Sequence, residues 1–500
     1  MPWSPGNREI GLESQPSRSS ATWRRALLIT GLMFLATFAA FVVSRTNLWL
    51  LIVFTVGGAA LLFVLLLKEP QYTVPFIIAA IPLEIWKSFY PFLRVETEVD
   101  HPAASIVELW RVVLLLALVA VVLSSLFRGR LSIVRHRVVW RSGILLLLFV
   151  LSSLFLSPSP SRAAIETARL AAHLALFALV AGMTTSLPRL ERALQVFVLT
   201  AIGISLLGIY QFFTGRSLWP GDVIIEAVGR VNATVYDPNI LARYLAVSII
   251  ACVALLEIRP MGILPAAALV GVPTVALLLT QSRSGWVLLP IGTVILWWWS
   301  TGRARLHLGR ITVALAVGMG IAFVYVPAFA ARFGTFSEGL GALGARVALI
   351  NTGVQIFQDH MLVGAGLGSF QTVALSEYAD LLPFGGTYAT LSHSALVTVM
   401  AELGIVGLVV TALVFGSVFR SFSAVLHTGS SETRWYALGC FAGIVLVVIS
   451  AQAEGRMFED PLLWVLMGLL VGLERLCRPR PHRSNERLAA PSHETRSSRP

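Results

Sequence analysis

The run Leu391-Ser392-His393-Ser394 leads directly into Ala395–Leu408, an apolar stretch interrupted chiefly by Thr398, Glu402, Gly404 and Gly407. An unperturbed imidazole gains and loses its proton near neutral pH, so His393 is a proton carrier. Where a polar segment enters a membrane helix, it meets the head group of a lipid-borne substrate. The implied chemistry is proton transfer on a membrane lipid.

Two other polar-to-apolar junctions carry comparable groups. Asp237-Pro238-Asn239 opens an apolar stretch with a capping carboxylate and a first-turn proline. Gln281-Ser282-Arg283-Ser284-Gly285-Trp286 opens another. A helix start offers free backbone N–H groups and a partial positive charge, which favour phosphate. Arg230 and Arg243 flank the first junction, Arg283 lies in the second, and Arg332 and Arg346 lie in a long segment before His393. The planar guanidinium matches phosphate oxygens in pairs. The expected site is an outward-facing anion pocket for a diphosphate, held by Arg230, Arg283, Arg346 and Asn239. His393 and Arg283 would carry the catalysis, supported by Ser394, Asp237, Glu402, Gly404 and Gly407.

Simpler roles exist for the same residues. Arg230 and Arg243 could snorkel to the membrane surface, and His393 could cap a helix at the interface. Glu402, about two turns into a span, is costly unless paired, so it either pairs within the bundle or serves the site. Gly404 and Gly407, three apart, would allow close helix contact. Gly364-Ala365-Gly366-Leu367-Gly368 lacks a surrounding strand–turn–helix unit and reads as a tight outward turn, not a nucleotide loop. No HExxH, P-loop or DxD pair supports a metal-dependent mechanism.

These groups need a scaffold, and the composition defines it. Of 500 residues, 56% are hydrophobic and 13% charged, and the mean hydropathy is +0.79. A soluble globule carries roughly a quarter charged residues. Solidly apolar runs exclude a barrel of alternating polarity, so the chain is an all-α polytopic membrane protein. The spans expected are 26–43, 48–67, 72–88, 107–127, 142–156, 163–183, 193–213, 239–257, 262–280, 284–300, 311–329, 394–419, 435–452 and 458–474. The bundle thus has about 12–14 transmembrane helices.

The net charge of +12 resides mostly in short loops and the termini, as the positive-inside rule requires, and gives no basic surface for nucleic acid. It sets the N-terminus inside and the three junctions outside. The organisation expected is a basic disordered cytoplasmic tail (1–25), a helical domain (26–476) and a disordered cytoplasmic tail (477–500). Within the domain, a long outward loop (330–392) covers the site. Val347, Ile350, Val354 and Phe357 in that loop recur at helical spacing and predict an amphipathic helix. Cys252, Cys440 and Cys477 form neither a metal motif nor a disulfide framework.

His393-Ser394, nine residues, then Gly404-Ile405-Val406-Gly407 resembles the HSx9GxxG pattern of lipopolysaccharide O-antigen ligases. Arg230 with Asp237-Pro238-Asn239, Thr280-Gln281-Ser282-Arg283-Ser284-Gly285-Trp286, and Asp359 to Gly368 also look like the O-antigen ligase/polymerase superfamily. The detailed resemblance covers Gln211 to Leu413. It implies a GT-C-like helical bundle with a long periplasmic loop in the bacterial inner membrane, and a metal-independent glycosyltransferase without cofactor. The implied donor is a glycan on undecaprenyl diphosphate and the acceptor a hydroxyl of a lipid, glycan or protein. Leu408 stands where ligases often have threonine, which leaves polysaccharide polymerases and protein O-oligosaccharyltransferases open. From another class, a secondary transporter or flippase also has many spans and interrupted helices, but places its ionisable groups near the midplane.

Overall fold

The computed structural model describes residues 16–44, 47–83, 109–128, 136–216, 229–235, 237–325, 340–382 and 391–478. Among these the fold is helical throughout, with no strand. In lipid every backbone N–H and C=O must be paired internally, and a helix achieves this within one segment. The helices are α1 Pro16–Ser44, α2 Leu48–Lys68, α3 Thr73–Ala80, α4 Leu109–Arg128, α5 Arg137–Phe155, α6 Pro160–Met183, α7 Leu187–Thr214 and α8 Pro238–Ile258. They continue with α9 Ile263–Leu279, α10 Arg283–Trp299, α11 Gly302–Tyr325, α12 Leu340–Asp359, α13 Phe370–Glu377, α14 Ala395–Thr428, α15 Ser431–Ala451 and α16 Pro461–Cys477.

Eight of these helices are long and apolar enough to cross a membrane, and two shorter apolar ones accompany them. The protein is therefore an all-α, multi-pass membrane protein. The described part of every expected span falls mainly on a helix, with residues 107–108 and 326–329 of two spans outside it, and there are two differences. Helix α1 begins at Pro16, so residues 16–25 belong to the first helix and not to a tail. The segment expected over 72–88 contains only the eight-residue α3 before the Ile81–Pro82 turn, and residues 84–88 lie outside the described part. Residues 1–15 and 479–500, where the tails were expected, and Arg332 lie outside it as well.

Two helices form the centre. Every residue of α8 from Leu241 to Leu255 is buried, as is every residue of α16 from Leu462 to Glu474. Small residues set the close approaches, as is usual where lipid supplies no hydrophobic drive between helices. Gly285 of α10 sits where a Cβ would lie 2.5 Å from the Ala242 methyl of α8. That contact brings the starts of α8 and α10 side by side.

Helix α14 is broken at Gly404 (φ 62°, ψ −158°), a conformation that a side chain strongly disfavours. An unbroken helix would pair the Ile405 and Val406 N–H groups with the Ala401 and Glu402 carbonyls. Here the Met361–Gly366 segment takes all four. Ala365 N–H donates to Ala401 O (2.8 Å) and Gly366 N–H to Glu402 O (3.1 Å), while Ile405 and Val406 N–H donate to Met361 O (2.9 Å) and Leu362 O (3.2 Å). The Glu402 carboxylate also accepts from Gly368 N–H (2.9 Å) and Phe370 N–H (3.2 Å). Gly404 is thus a helix break and not the interhelical packing residue that its spacing from Gly407 suggests. Gly407 is buried, where a Cβ would lie 2.3 Å from Leu403 Cβ of its own helix.

The long connection before α14 folds onto this break. The face of α12 that packs inward is Leu349, Thr352, Gly353 and Ile356. The expected stripe is rotated from it: Val347 is exposed, and Ile350, Val354 and Phe357 are half-buried. Leu349 and Ile356 meet Phe370, Val373, Ala374, Leu382 and Ala401 in a second, small core. At Gly353 a Cβ would lie 2.5 Å from Val397 and 3.6 Å from Ser392. That approach carries Arg346, two turns earlier, toward His393.

Candidate functional site

Four helix starts gather at one end of the bundle, each capped by its own side chain. Asn239 N–H donates to Asp237 Oδ1 (2.5 Å) at α8, Gly285 N–H to Ser282 Oγ (3.3 Å) at α10, Val397 N–H to Ser394 Oγ (3.5 Å) at α14, and Leu462 N–H to Asp460 Oδ1 (2.8 Å) at α16. Each cap satisfies an orphan backbone donor and fixes where its helix begins.

The turns ahead of three of these helices are strained. Among the described residues the non-glycine residues with positive φ are Ala233 (50°), Gln281 (51°) and His393 (55°). They precede α8, α10 and α14 respectively. A left-handed non-glycine residue costs of order 1–3 kcal/mol and persists only where its surroundings over-determine it. Strain of this kind concentrates at functional sites.

Local hydrogen bonds hold the arginine side of the site. Arg230 Nε donates to Thr280 O (2.9 Å) and its Nη2 to Asn239 Oδ1 (2.9 Å). Ser282 Oγ donates to the same Asn239 oxygen (2.8 Å), and Gln281 Nε2 to Gly229 O (3.1 Å). The 229–230 segment, the α9–α10 turn and the start of α8 are therefore tied into one unit. Arg230, Arg283, Arg346 and Asn239, with Glu454 opposite them, line a small cavity on it.

A larger cavity of about 480 Å³, within the usual range for ligand sites, adjoins the first. His393, Asp237, Asn239, Arg243 and Arg346 line it. Asn239, Arg346, Ala453 and Glu454 border both cavities. The imidazole and the three arginines, distant in sequence, thus share one continuous polar region.

His393 is half-buried, and its surroundings set its proton affinity. Burial pushes its pKa below the ordinary 6.5, the Arg346 charge pushes it further down, and a hydrogen bond to the Ala453 backbone opposes both. A ring that donates one N–H to a carbonyl keeps the other nitrogen as the basic atom in its neutral form. Ser394 supports the turn: its Oγ donates to Gln452 Oε1 (3.2 Å), which also accepts from Leu396 N–H (3.1 Å).

The remaining candidates separate. Arg243 does not snorkel. It is buried, ion-paired to Glu454 and, at 2.7 Å, to Asp460. Glu402 supports the backbone of the 364–370 segment from behind and borders a third cavity, away from the diphosphate candidates. Gly404 and Gly407 shape α14 without lining the cavities named here.

The α15–α16 connection supplies residues that the sequence reading passed over. Glu454, Arg456, Glu459 and Asp460 all border the larger cavity. Their signal was legible. Asp460-Pro461 repeats the Asp237-Pro238 opening, and four charges in so short a link between two buried apolar helices are costly without a task. Among the described residues no three His, Cys, Asp or Glu side chains converge as a metal-binding group.

The fold and this polar end define a class: a multi-pass helical membrane protein with a guanidinium- and imidazole-lined cavity at one end. Residues 266–412 match the family model described as O-Antigen ligase. That match covers under a third of the chain, and it supports the O-antigen ligase/polymerase superfamily and a function of that general type. The matched segment contains Arg283, Arg346, His393 and the Gly404 break, while Arg230 and Asn239 come from outside it. No curated protein matches the chain.

Proposed function

We propose that the protein transfers a glycan from undecaprenyl diphosphate to an acceptor hydroxyl, on lipid A-core or on a growing polysaccharide, at the periplasmic face of the bacterial inner membrane. The observation that carries this reading is the continuity of the two cavities: His393 borders one, Arg230 and Arg283 border the other, and Arg346 and Asn239 border both.

The chemistry follows from the groups. The anomeric carbon already carries a diphosphate leaving group, so no nucleotide is needed outside the cell. His393 takes the acceptor hydroxyl proton as the oxygen attacks the anomeric carbon. The carbon–oxygen bond to the diphosphate breaks, and its electron pair leaves with undecaprenyl diphosphate. Arg230, Arg283 and Arg346 meet the charge that grows on that leaving group, which preorganised donors do without reorganisation. Direct displacement inverts the anomeric centre. Charge stabilisation by guanidinium groups gives the mechanism no step that calls for a metal.

The test is purified protein, lipid-linked glycan and acceptor, scored for released undecaprenyl diphosphate. A flippase would move the donor without releasing it. His393→Ala should lower turnover by about 10²–10⁴-fold, the usual worth of a general base, while the donor still binds. Normal turnover in that variant would refute the assignment.

A further inference from the structure

The third cavity, about 260 Å³, lies on the other side of the α15–α16 connection. Its charged wall is a closed square of two arginines and two glutamates. Arg169 meets Glu166 at 2.8 Å and Glu459 at 3.7 Å, and Arg456 meets Glu166 at 3.0 Å and Glu459 at 2.7 Å. Arg456 and Glu459 border both this cavity and the one that holds His393. The chain at 391–395 divides the two in the same way: Leu391 and Ala395 face the third cavity while His393 lines the other. Gly455 keeps the partition thin. A Cβ there would lie 3.0 Å from Leu391 Cβ and 3.3 Å from the His393 backbone nitrogen.

The two regions differ in charge. The small diphosphate cavity has Arg230, Arg283 and Arg346 against Glu454 alone. The third cavity balances Arg162, Arg169 and Arg456 with Glu166, Glu402 and Glu459. A balanced lining gives little net attraction for an anion, but it presents many planar, two-pronged donors and acceptors. Arg162 Nη1 donates to Gln371 Oε1 (2.6 Å) at its mouth, and Phe149 and Phe458 supply apolar faces. Vicinal hydroxyls with a C–H face, the chemistry of a neutral sugar, suit that combination.

We infer that the third cavity binds the saccharide of the acceptor and presents its hydroxyl across the partition to His393. This rests on the transfer reading above and adds the place of the second substrate. The donor diphosphate and the acceptor sugar then come from different cavities, which suits a single displacement, where the attacking oxygen and the leaving diphosphate lie on opposite sides of the anomeric carbon.

The experiment uses the full chain in lipid nanodiscs, labelled undecaprenyl-diphosphate-linked glycan as donor, and a lipid extract of membranes from cells lacking this protein as acceptor source. Arg162→Ala and Gln371→Ala remove polar groups at the mouth, and Ile165→Trp narrows the cavity from a partly exposed position. Each should raise the half-saturating amount of acceptor extract about tenfold, the effect of roughly one lost polar contact, with donor binding unchanged. A shift in donor saturation instead, or no shift in either, overturns the inference. Wild-type protein that releases no diphosphate overturns the transfer reading as well, and that result needs no variant.

Discussion

The two ends of the bundle use the same charged side chains for different ends. Away from the site, Glu474 is 4% exposed and accepts from His136 (2.9 Å), Arg137 (3.0 Å) and Arg478 (2.7 Å), pinning the end of α16 to the start of α5. Arg259 likewise bridges Glu191 (3.4 Å) and Glu432 (2.8 Å), joining α8 to α7 and α15. None of these residues borders the three cavities. At the site end, Arg243, Glu454, Arg456 and Glu459 are paired just as closely, yet they form cavity walls. All three strained non-glycine turns also lie at this end. Ion pairing alone therefore marks a fastening. Pairing beside a cavity, with strained backbone holding an imidazole, marks a site.

The sharpest way to break this comparison is to truncate one charge at each end. Arg283→Ala should reduce transfer about 10²–10³-fold, as loss of one preorganised charge-stabilising donor does, with the unfolding midpoint nearly unchanged. Glu474→Ala should do the reverse. It leaves His136 and Arg137 without their buried partner, a change that typically costs about 3–5 kcal/mol, while turnover per folded molecule stays near that of the wild type. Thermal unfolding and diphosphate release, measured on both variants, check this. A stability loss in Arg283→Ala, or a turnover loss in Glu474→Ala that survives correction for the folded fraction, would erase the distinction.

Between the ends lies the break in α14, which links the second core to the site. In Gly404→Ala the new methyl would stand 2.5 Å from the Leu362 carbonyl, at a φ of 62°. Strain and overpacking of this kind together cost about 2–4 kcal/mol. We expect that loss in unfolding measurements, with hydrogen exchange rising at Met361–Gly366, whose backbone bonds depend on the break. An unaltered exchange pattern would mean that the two segments are not coupled.

Much of this was legible in the chain. Long apolar runs fix helices because lipid allows little else, and the Asp-Pro, Ser-x-x-Gly and His-Ser openings mark where they begin. The sequence places His393 and the arginines at or near helix starts, and the cavities that they line adjoin. What sequence alone did not show had a physical cause in each case. The purpose of Gly404 depends on a partner segment about forty residues away. The buried face of α12 is set by its contact at Gly353, which periodicity cannot report. Glu166 and Arg169 became visible only once Arg456 and Glu459 were seen beside them.

The subtlest effect concerns the proton. If His393 acts as a base, it must be neutral, so activity is lost as pH falls through its pKa. Burial holds that pKa below 6.5, and the Arg346 charge lowers it further. The acid limb of kcat/KM, which reports the free enzyme, should therefore lie below the limb of an ordinary imidazole. Arg346→Gln removes the second influence and leaves the first, so the limb should move to higher pH without reaching the ordinary value. The absolute rate will also fall, because Arg346 borders both cavities. The position of the limb is therefore the diagnostic, and its height is not. A limb that stays in place, or moves to lower pH, would separate the titrating group from Arg346 and remove His393 from the role of base.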